Sequence, residues 1–288
     1  MNRTTNAVDT GPLEVELVER YRHDGFLLLP PDFLNDDVLG AVSAVLPRVL
    51  SDRGPRVILE RDAVTVRSVY GVHQNVPEIR DIARRPDMLG AVRQLLADDE
   101  VYVHQSKINL KAPLAGDQWE WHQDYIYWLR QDGIIRPDLV NVSVFLDDVT
   151  EFNGPLTFIP GSHRGGVLAA TLSDGLPLGY EDAPEWVSTL TAEEKFQVGG
   201  SVIENLARAN GMVSPKGLAG SVLFFNPNLL HASSPNLSPF RRAMLILVYN
   251  TISNAPVGVT QPRPDFLSEP DVHALQPVGH NNSGETSK

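Results

Sequence analysis

At Val101 the texture of the chain changes, and that change restricts the fold more than any other feature. Upstream, apolar residues recur at helical spacing. Leu13, Leu17 and Tyr21 mark one segment, and Val38, Val42, Val45 and Val49 a second that Asn35 or Asp36 can cap. A third helical block covers residues 78–97, broken near Pro86. Only 26–29, a short buried strand, and 56–60 with 63–70, a hairpin, interrupt this half. Downstream, short β-like runs take over at 101–111, 118–124, 140–146, 156–160, 221–226 and 242–251. Turn-forming Gly and Pro, 22 of each in the chain, separate them. Helices first and strands later predict an α+β protein, with helices packed on a β-sandwich or barrel. We expect one domain over 12–253, with 1–11 and 254–288 as flexible termini. The acidic stretch 172–209 is long for a plain connection and is expected to supply lid or gating loops.

Composition narrows the chemistry. The 288 residues carry 24 basic and 36 acidic side chains, a formal net charge of −12. Without a basic run the chain is a poor partner for nucleic acid or an anionic membrane surface. The absence of cysteine excludes disulfides, thiolate nucleophiles and cysteine-held zinc or iron–sulfur centres. Eight histidines remain for metal or acid–base work. The longest apolar run, 243–249, is far short of the ~18–20 residues that cross a bilayer. The first residues lack an apolar core, so a cytoplasmic protein acting on a small molecule is expected. Monomer and homodimer both stay open.

The densest chemistry is Trp119-Glu120-Trp121-His122-Gln123-Asp124. Two apart on a strand, His122 and Asp124 would project from one face. The best third donor is His231, which follows an apolar run and precedes a turn-rich segment. Two histidines and one carboxylate on one face of an octahedron form the iron site of non-haem Fe(II) oxygenases. His-X-Asp alone is common, and a lone histidine is more often structural. Weight comes from Arg242, which opens an alternating strand and shares a face with Met244, Ile246 and Val248. A buried arginine is costly unless an anion satisfies it. A dicarboxylate cosubstrate would do so; so would an internal Asp or Glu.

Blocks at 66–73, 104–111, 121–125, 153–156, 159–163 and 231–242, with Trp128 and Asp132-Gly133, extend the pattern over most of the chain. Together they resemble the phytanoyl-CoA dioxygenase-like Fe(II)/2-oxoglutarate oxygenases. Within that family they are most similar to ectoine hydroxylase and the leucine-type free amino acid hydroxylases. The resemblance implies a double-stranded β-helix core, jelly-roll or cupin-like, flanked by N-terminal helices. It implies iron(II) on His122, Asp124 and His231, with 2-oxoglutarate and O2 as cosubstrates. Lys111 and Arg242 would bind the 2-oxoglutarate carboxylates, with Ser233 and Asn109 beside them. Gln105, Trp128 and Tyr125 would shape the substrate pocket, and Arg67 would meet a substrate carboxylate. His163 would tie down a turn.

The implied reaction is hydroxylation of an unactivated C–H bond in a small polar metabolite, a free L-amino acid or cyclic derivative. Ectoine, an acyl-CoA or another natural-product intermediate are the alternatives. A non-enzymatic jelly-roll binding protein is disfavoured because every ligand position is filled. Asp124 at the carboxylate position implies hydroxylation and not halogenation. Gln123-Asp124-Tyr125 stands where ectoine hydroxylase has Ser-Asp-Phe, and Gln131 precedes Asp132-Gly133 where an acidic residue is usual. Both departures point towards the amino acid hydroxylases.

Overall fold

The computed structural model describes residues 11–34, 36–168, 170–172, 180, 183–191 and 195–278. The first half supplies helices α1 (Val15–Asp24), α2 (Asp36–Ser51), α3 (Val72–Asn75), α4 (Pro77–Ala83) and α5 (Pro86–Leu96). Proline opens both α4 and α5, where its missing N–H costs nothing. α1 ends at Gly25, whose left-handed φ of 86° lets its N–H bond the Tyr21 carbonyl at 2.8 Å.

The first strands in the chain are β1 (Phe26–Leu29), β2 (Val57–Leu59) and β3 (Val66–Tyr70), followed by β4 (Val101–Lys111), β5 (Trp119–His122) and β6 (Leu139–Phe145). Then come β7 (Leu156–Phe158), β8 (Ala170–Leu172), β9 (Phe196–Val198), β10 (Val222–Phe225), β11 (His231–Ser233) and β12 (Arg242–Thr251). Seven make one sheet in the order β1-β10-β6-β12-β4-β3-β2, and three make a second in the order β5-β11-β7. All pairings are antiparallel. The two sheets form the jelly-roll core.

Alternation along β12 shows how the large sheet is used. Ala243, Leu245, Leu247 and Tyr249 join the helices in one core. Met244, Ile246 and Val248 face the other way, into a second core that includes Phe158 of the small sheet. A strand buried on both faces reads as a near-continuous apolar run, as this one does. The helices therefore back the large sheet, and its inner face is left for the site.

Three expectations change. The strand predicted over 118–124 stops at His122, because Asp124 has helical backbone angles and opens the short turn α6 (Tyr125–Tyr127). The segment after Leu230 is not merely a turn: β11 pairs with both β5 and β7. The loose tail predicted from 254 is packed over 255–278. Leu267 is fully buried, and Glu269 and Leu275 donate backbone N–H bonds to the His104 and Val101 carbonyls of β4. Such a strap has the Pro- and Gly-rich composition of a disordered end, so periodicity cannot distinguish the two. Residues 1–10 and 279–288 lie outside the described residues.

The insertion contributes the β8–β9 hairpin, a helical turn at Glu185–Thr189 and helix α7 (Gly200–Asn210). The expected lid loops lie partly outside the described residues, at 173–179, 181–182 and 192–194. No helix of the described residues is long and apolar enough to cross a membrane.

Candidate active site

Register brings the two histidines together. His231 of β11 is the direct cross-strand partner of His122 of β5, and their rings lie 4.2 Å apart. Asp124 joins them from the first turn of α6. Its Oδ1 lies 3.7 Å from His122 Nε2, and its Oδ2 lies 3.8 Å from His231 Nε2. All three donor atoms fall within 4.8 Å of one another.

The surroundings aim those atoms. His122 Nδ1 donates to the Glu120 carbonyl at 2.6 Å, and His231 Nδ1 donates to the Leu229 carbonyl at 2.8 Å. Each ring is thereby held with its Nε2 lone pair inward, the arrangement that orients a metal-binding imidazole. Asn141 of β6 donates to Asp124 Oδ2 at 3.0 Å. Burial, then the neighbouring His122, pushes the His231 imidazole down to about 4, so it is neutral near pH 7. Burial opposes ionisation of Asp124, but His231, His122 and Lys107 outweigh it and hold the carboxyl well below the usual range. Two imidazoles and one carboxylate, converging on one point, suit a divalent ion such as iron(II).

Two chambers open from this point. The first is lined by Asn109, Ser233, Arg242 and Leu156, the second by Gln105, Tyr70, Tyr127, Trp128, Leu190 and Arg263. Lys107, Trp119, His122 and Asp124 line both. In the first chamber Arg242 Nη2 donates to the Gly154 carbonyl at 2.6 Å. Arg242 Nε, Ser233 Oγ and Asn109 Oδ1 are buried with no hydrogen-bond partner among the described residues. Burial pushes the Arg242 guanidinium down to about 9, and it still carries its charge at neutral pH. Three buried polar atoms left unpaired around one cavity mark a polar ligand, because each otherwise costs its desolvation.

Three residues expected at the ligands stand elsewhere. Arg67 is buried and fully engaged. It pairs with Glu60 at 3.1 Å, donates to the Leu190 and Gln118 carbonyls, and stacks 3.8 Å over Trp119. It lines neither chamber, so it supports the Trp119 wall instead of meeting a substrate carboxylate. Tyr125 lies in the inner core with its hydroxyl on the Ile134 carbonyl. The helical turn at Asp124 rotates successive side chains by about 100°, so Tyr127 reaches the chamber and Tyr125 does not. Lys111 sits beside Arg242 on β4, yet its Nζ donates to the Asp117 and Ser234 carbonyls, each at 2.6 Å. Its stem packs against Gly154, where a Cβ would lie 2.6 Å from Lys111 Cδ and 2.5 Å from the Ser234 carbonyl. Lys111 thus props the turn that presents the Gly154 carbonyl to Arg242.

Burial, Arg242 and Arg67 push the Lys111 ammonium down to about 6. An unfolded chain holds that proton up to about pH 10, so between about pH 6 and 10 the unfolded state binds more protons and stability rises with pH. The melting temperature of ligand-free protein should climb across this window, and Lys111→Met should flatten the climb. An equal slope in both proteins would show that the amine stays charged when buried.

His163 ties α1 to its turn as expected, through Nε2 to the Arg22 carbonyl at 3.1 Å. Sequence reasoning missed a fully buried cluster behind the second chamber. Asp132 accepts from His104 Nε2 at 2.9 Å and from Arg263 Nε and Nη2 at 2.7 and 2.6 Å. His104 in turn meets the Trp128 ring edge-on at 5.9 Å. The cluster fixes Trp128 and brings Arg263 of the C-terminal strap to the chamber. Nothing in the strap's composition signals this. Lys107 was missed as well, although the strand face it shares with Gln105 and Asn109 was a signal that could have found it.

A facial pair of histidines with a carboxylate, set in a jelly roll beside a buried arginine with open valence, defines a non-haem iron(II) dioxygenase that uses a 2-oxo acid. The chain belongs to the phytanoyl-CoA dioxygenase (PhyH) family, whose model matches residues 21–244. It is 35% identical over 259 residues to L-proline trans-4-hydroxylase of Streptomyces griseoviridis, covering 90% of this chain and 94% of that one. It is 33% identical over 265 residues to ectoine dioxygenase of Bordetella bronchiseptica, covering 89% and 82%. Among solved structures it is similar to EctD from S. alaskensis with 2-oxoglutarate and 5-hydroxyectoine. There the TM-score is 0.78 at 29% identity, covering 96% of this chain and 90% of that one.

Proposed function

We propose that this enzyme hydroxylates a free cyclic L-amino acid of the L-proline type, using iron(II), 2-oxoglutarate and O2. The observation that carries the cosubstrate is the pair of unpaired buried donors, Ser233 Oγ and Arg242 Nε, in one chamber beside the metal-binding group. When bound, iron(II) and the 2-oxo acid supply the oxidation, in which O2 is consumed, the cosubstrate becomes succinate and CO2, and one oxygen enters a C–H bond.

The chain supplies placement. His122, Asp124 and His231 would hold the metal, whose redox chemistry the chain itself lacks. Arg242 would take the distal carboxylate of 2-oxoglutarate through its guanidinium fork, with the Ser233 hydroxyl and the Asn109 amide N–H as the further donors. Gln105 and Trp128 line the other chamber, where the substrate ring would lie against aromatic walls. Leu190 and Arg263 of the strap line the same chamber, where with substrate bound they would limit the entry of water. Proline and ectoine, the substrates of the two relatives, are both small rings bearing a carboxylate and ring nitrogen, and such a chamber suits a compact ring. Closure by the strap and the acidic balance of the chain argue against an acyl-CoA, whose nucleotide needs an outward path and basic residues.

The test is a screen of free amino acids, ectoine and acyl-CoAs with iron(II), 2-oxoglutarate, O2 and chloride, read by succinate release and mass spectrometry. L-Proline or a close ring homologue should gain one oxygen atom and no chlorine. Turnover confined to acyl-CoA or carrier-bound substrates would overturn the substrate class, and a chlorinated product would overturn hydroxylation.

A further inference from the structure

Lys107 occupies a position that the reading above leaves unused. It projects from β4 between Gln105 and Asn109, opposite Tyr70 of β3 and Ile246 of β12. It is the one lysine that lines both chambers among the described residues. Its ammonium has no hydrogen bond or ion pair among them. It lies 5.7 Å from the ring centroids of both Tyr70 and Trp119. Aromatic faces at that range stabilise a cation and fix its place, but they do not neutralise it.

The charges around the metal point the same way. Bound iron(II) would have its two positive charges met by Asp124 and by a carboxylate of the 2-oxo acid. Arg242 is met by the distal carboxylate. Arg263 is met by Asp132, which holds two of its nitrogens. Once cosubstrate is in place, Lys107 would be the one of these cations with no carboxylate of its own: the anion it faces, Asp124, would be taken by the metal. A cation set partly out of water without a close anion is costly, and a carboxylate arriving with the substrate removes that cost. An amino acid brings one carboxylate, and Lys107 stands where the two chambers meet.

We infer that Lys107 is the specificity-determining residue for the substrate carboxylate, pairing with it at the junction of the chambers. The Tyr70 and Trp119 rings hold the ammonium in position. This rests on the amino acid reading, and it assigns to Lys107 the role that Arg67 was expected to fill. It also explains selection. A carboxamide or ester of the same ring would leave Lys107 unpaired and bind weakly, while the cosubstrate side would be unaffected.

The experiment is calorimetric titration of the iron(II)- and 2-oxoglutarate-loaded enzyme without O2, using L-proline and L-prolinamide as probes. Wild type should bind L-proline more tightly than the amide. Lys107→Met should weaken L-proline binding by roughly 10- to 100-fold, the span for one charged hydrogen bond, and erase the preference over the amide. Lys107→Arg should restore much of the preference. The affinity of Lys107→Met for 2-oxoglutarate should stay within about twofold of wild type, which also reports an intact fold. A preference that survives Lys107→Met overturns the inference. So does a larger loss for 2-oxoglutarate than for L-proline, which would make Lys107 a cosubstrate residue. A wild-type enzyme that binds neither L-proline nor any other carboxylate ring in the screen overturns the amino acid reading itself, and the inference falls with it.

Discussion

Alanine at any one of His122, Asp124 or His231 is expected to reduce 2-oxoglutarate turnover by about 10³-fold or more, equivalent to at least ~4 kcal/mol of barrier. Each side chain contributes one of only three converging donor atoms, and no fourth His or carboxylate among the described residues stands within the group. The loss should appear first as metal loss. Purified variants should hold iron(II) weakly in a metal assay, while circular dichroism and melting stay near those of metal-stripped wild type. The fold is expected to survive because the donors lie at the mouth of a core built elsewhere, from Phe145, Phe158, Leu223 and Ile246. Removing either imidazole leaves the backbone carbonyl it bonded, Glu120 or Leu229, free to take up water. A variant that kept near-normal succinate formation would take that residue out of the metal site.

The second large effect concerns Arg242. Arg242→Lys keeps a positive charge but loses the planar fork that can grip a carboxylate with two parallel bonds. It also loses the bond to the Gly154 carbonyl that aims the present side chain. A weakening of 2-oxoglutarate binding by roughly 1.5–3 kcal/mol is expected, the worth of a charged hydrogen bond, so its KM should rise about tenfold or more. At saturating cosubstrate kcat should recover most of its value, because Arg242 binds the end of the molecule away from the reaction. An unchanged KM would place the distal carboxylate elsewhere. Arg242→Met would go further, leaving the carboxylate with only Ser233 and Asn109.

The parts of the site that were readable are those whose chemistry is rare and whose geometry is local. His122 and Asp124 stood out because two metal-binding side chains lie two residues apart. Arg242 stood out because a guanidinium opens an otherwise apolar alternating strand, and its face-sharing with Met244 and Ile246 holds in the fold. Even here the reason differed in part. Asp124 meets His122 through a helical turn and not through strand alternation, and the same turn exchanges Tyr125 for Tyr127 at the chamber wall.

The parts that were not readable depend on partners far apart in the chain. Arg67 looked like a free cation, but Glu60 and two carbonyls consume it. Arg263 looked like part of a loose end, but Asp132, 131 residues away, captures it and with it the whole strap. Neither pairing has a local period, and both lower the cost of charges that burial would otherwise make prohibitive.

By itself, then, the sequence determined the order of helices and strands, the inward face of β12 and the donor types of the metal site. Those follow from side-chain chemistry and from backbone periods that act over a few residues. Only the tertiary structure decided which cations are already paired and which are left for ligands. It set Lys111 behind the chamber, Arg67 behind Trp119, Arg263 on Asp132, and Lys107 facing both chambers. The reason is that a charge's role depends on what stands within a few ångströms of it, and sheet register and burial assign those neighbours, not adjacency in the chain.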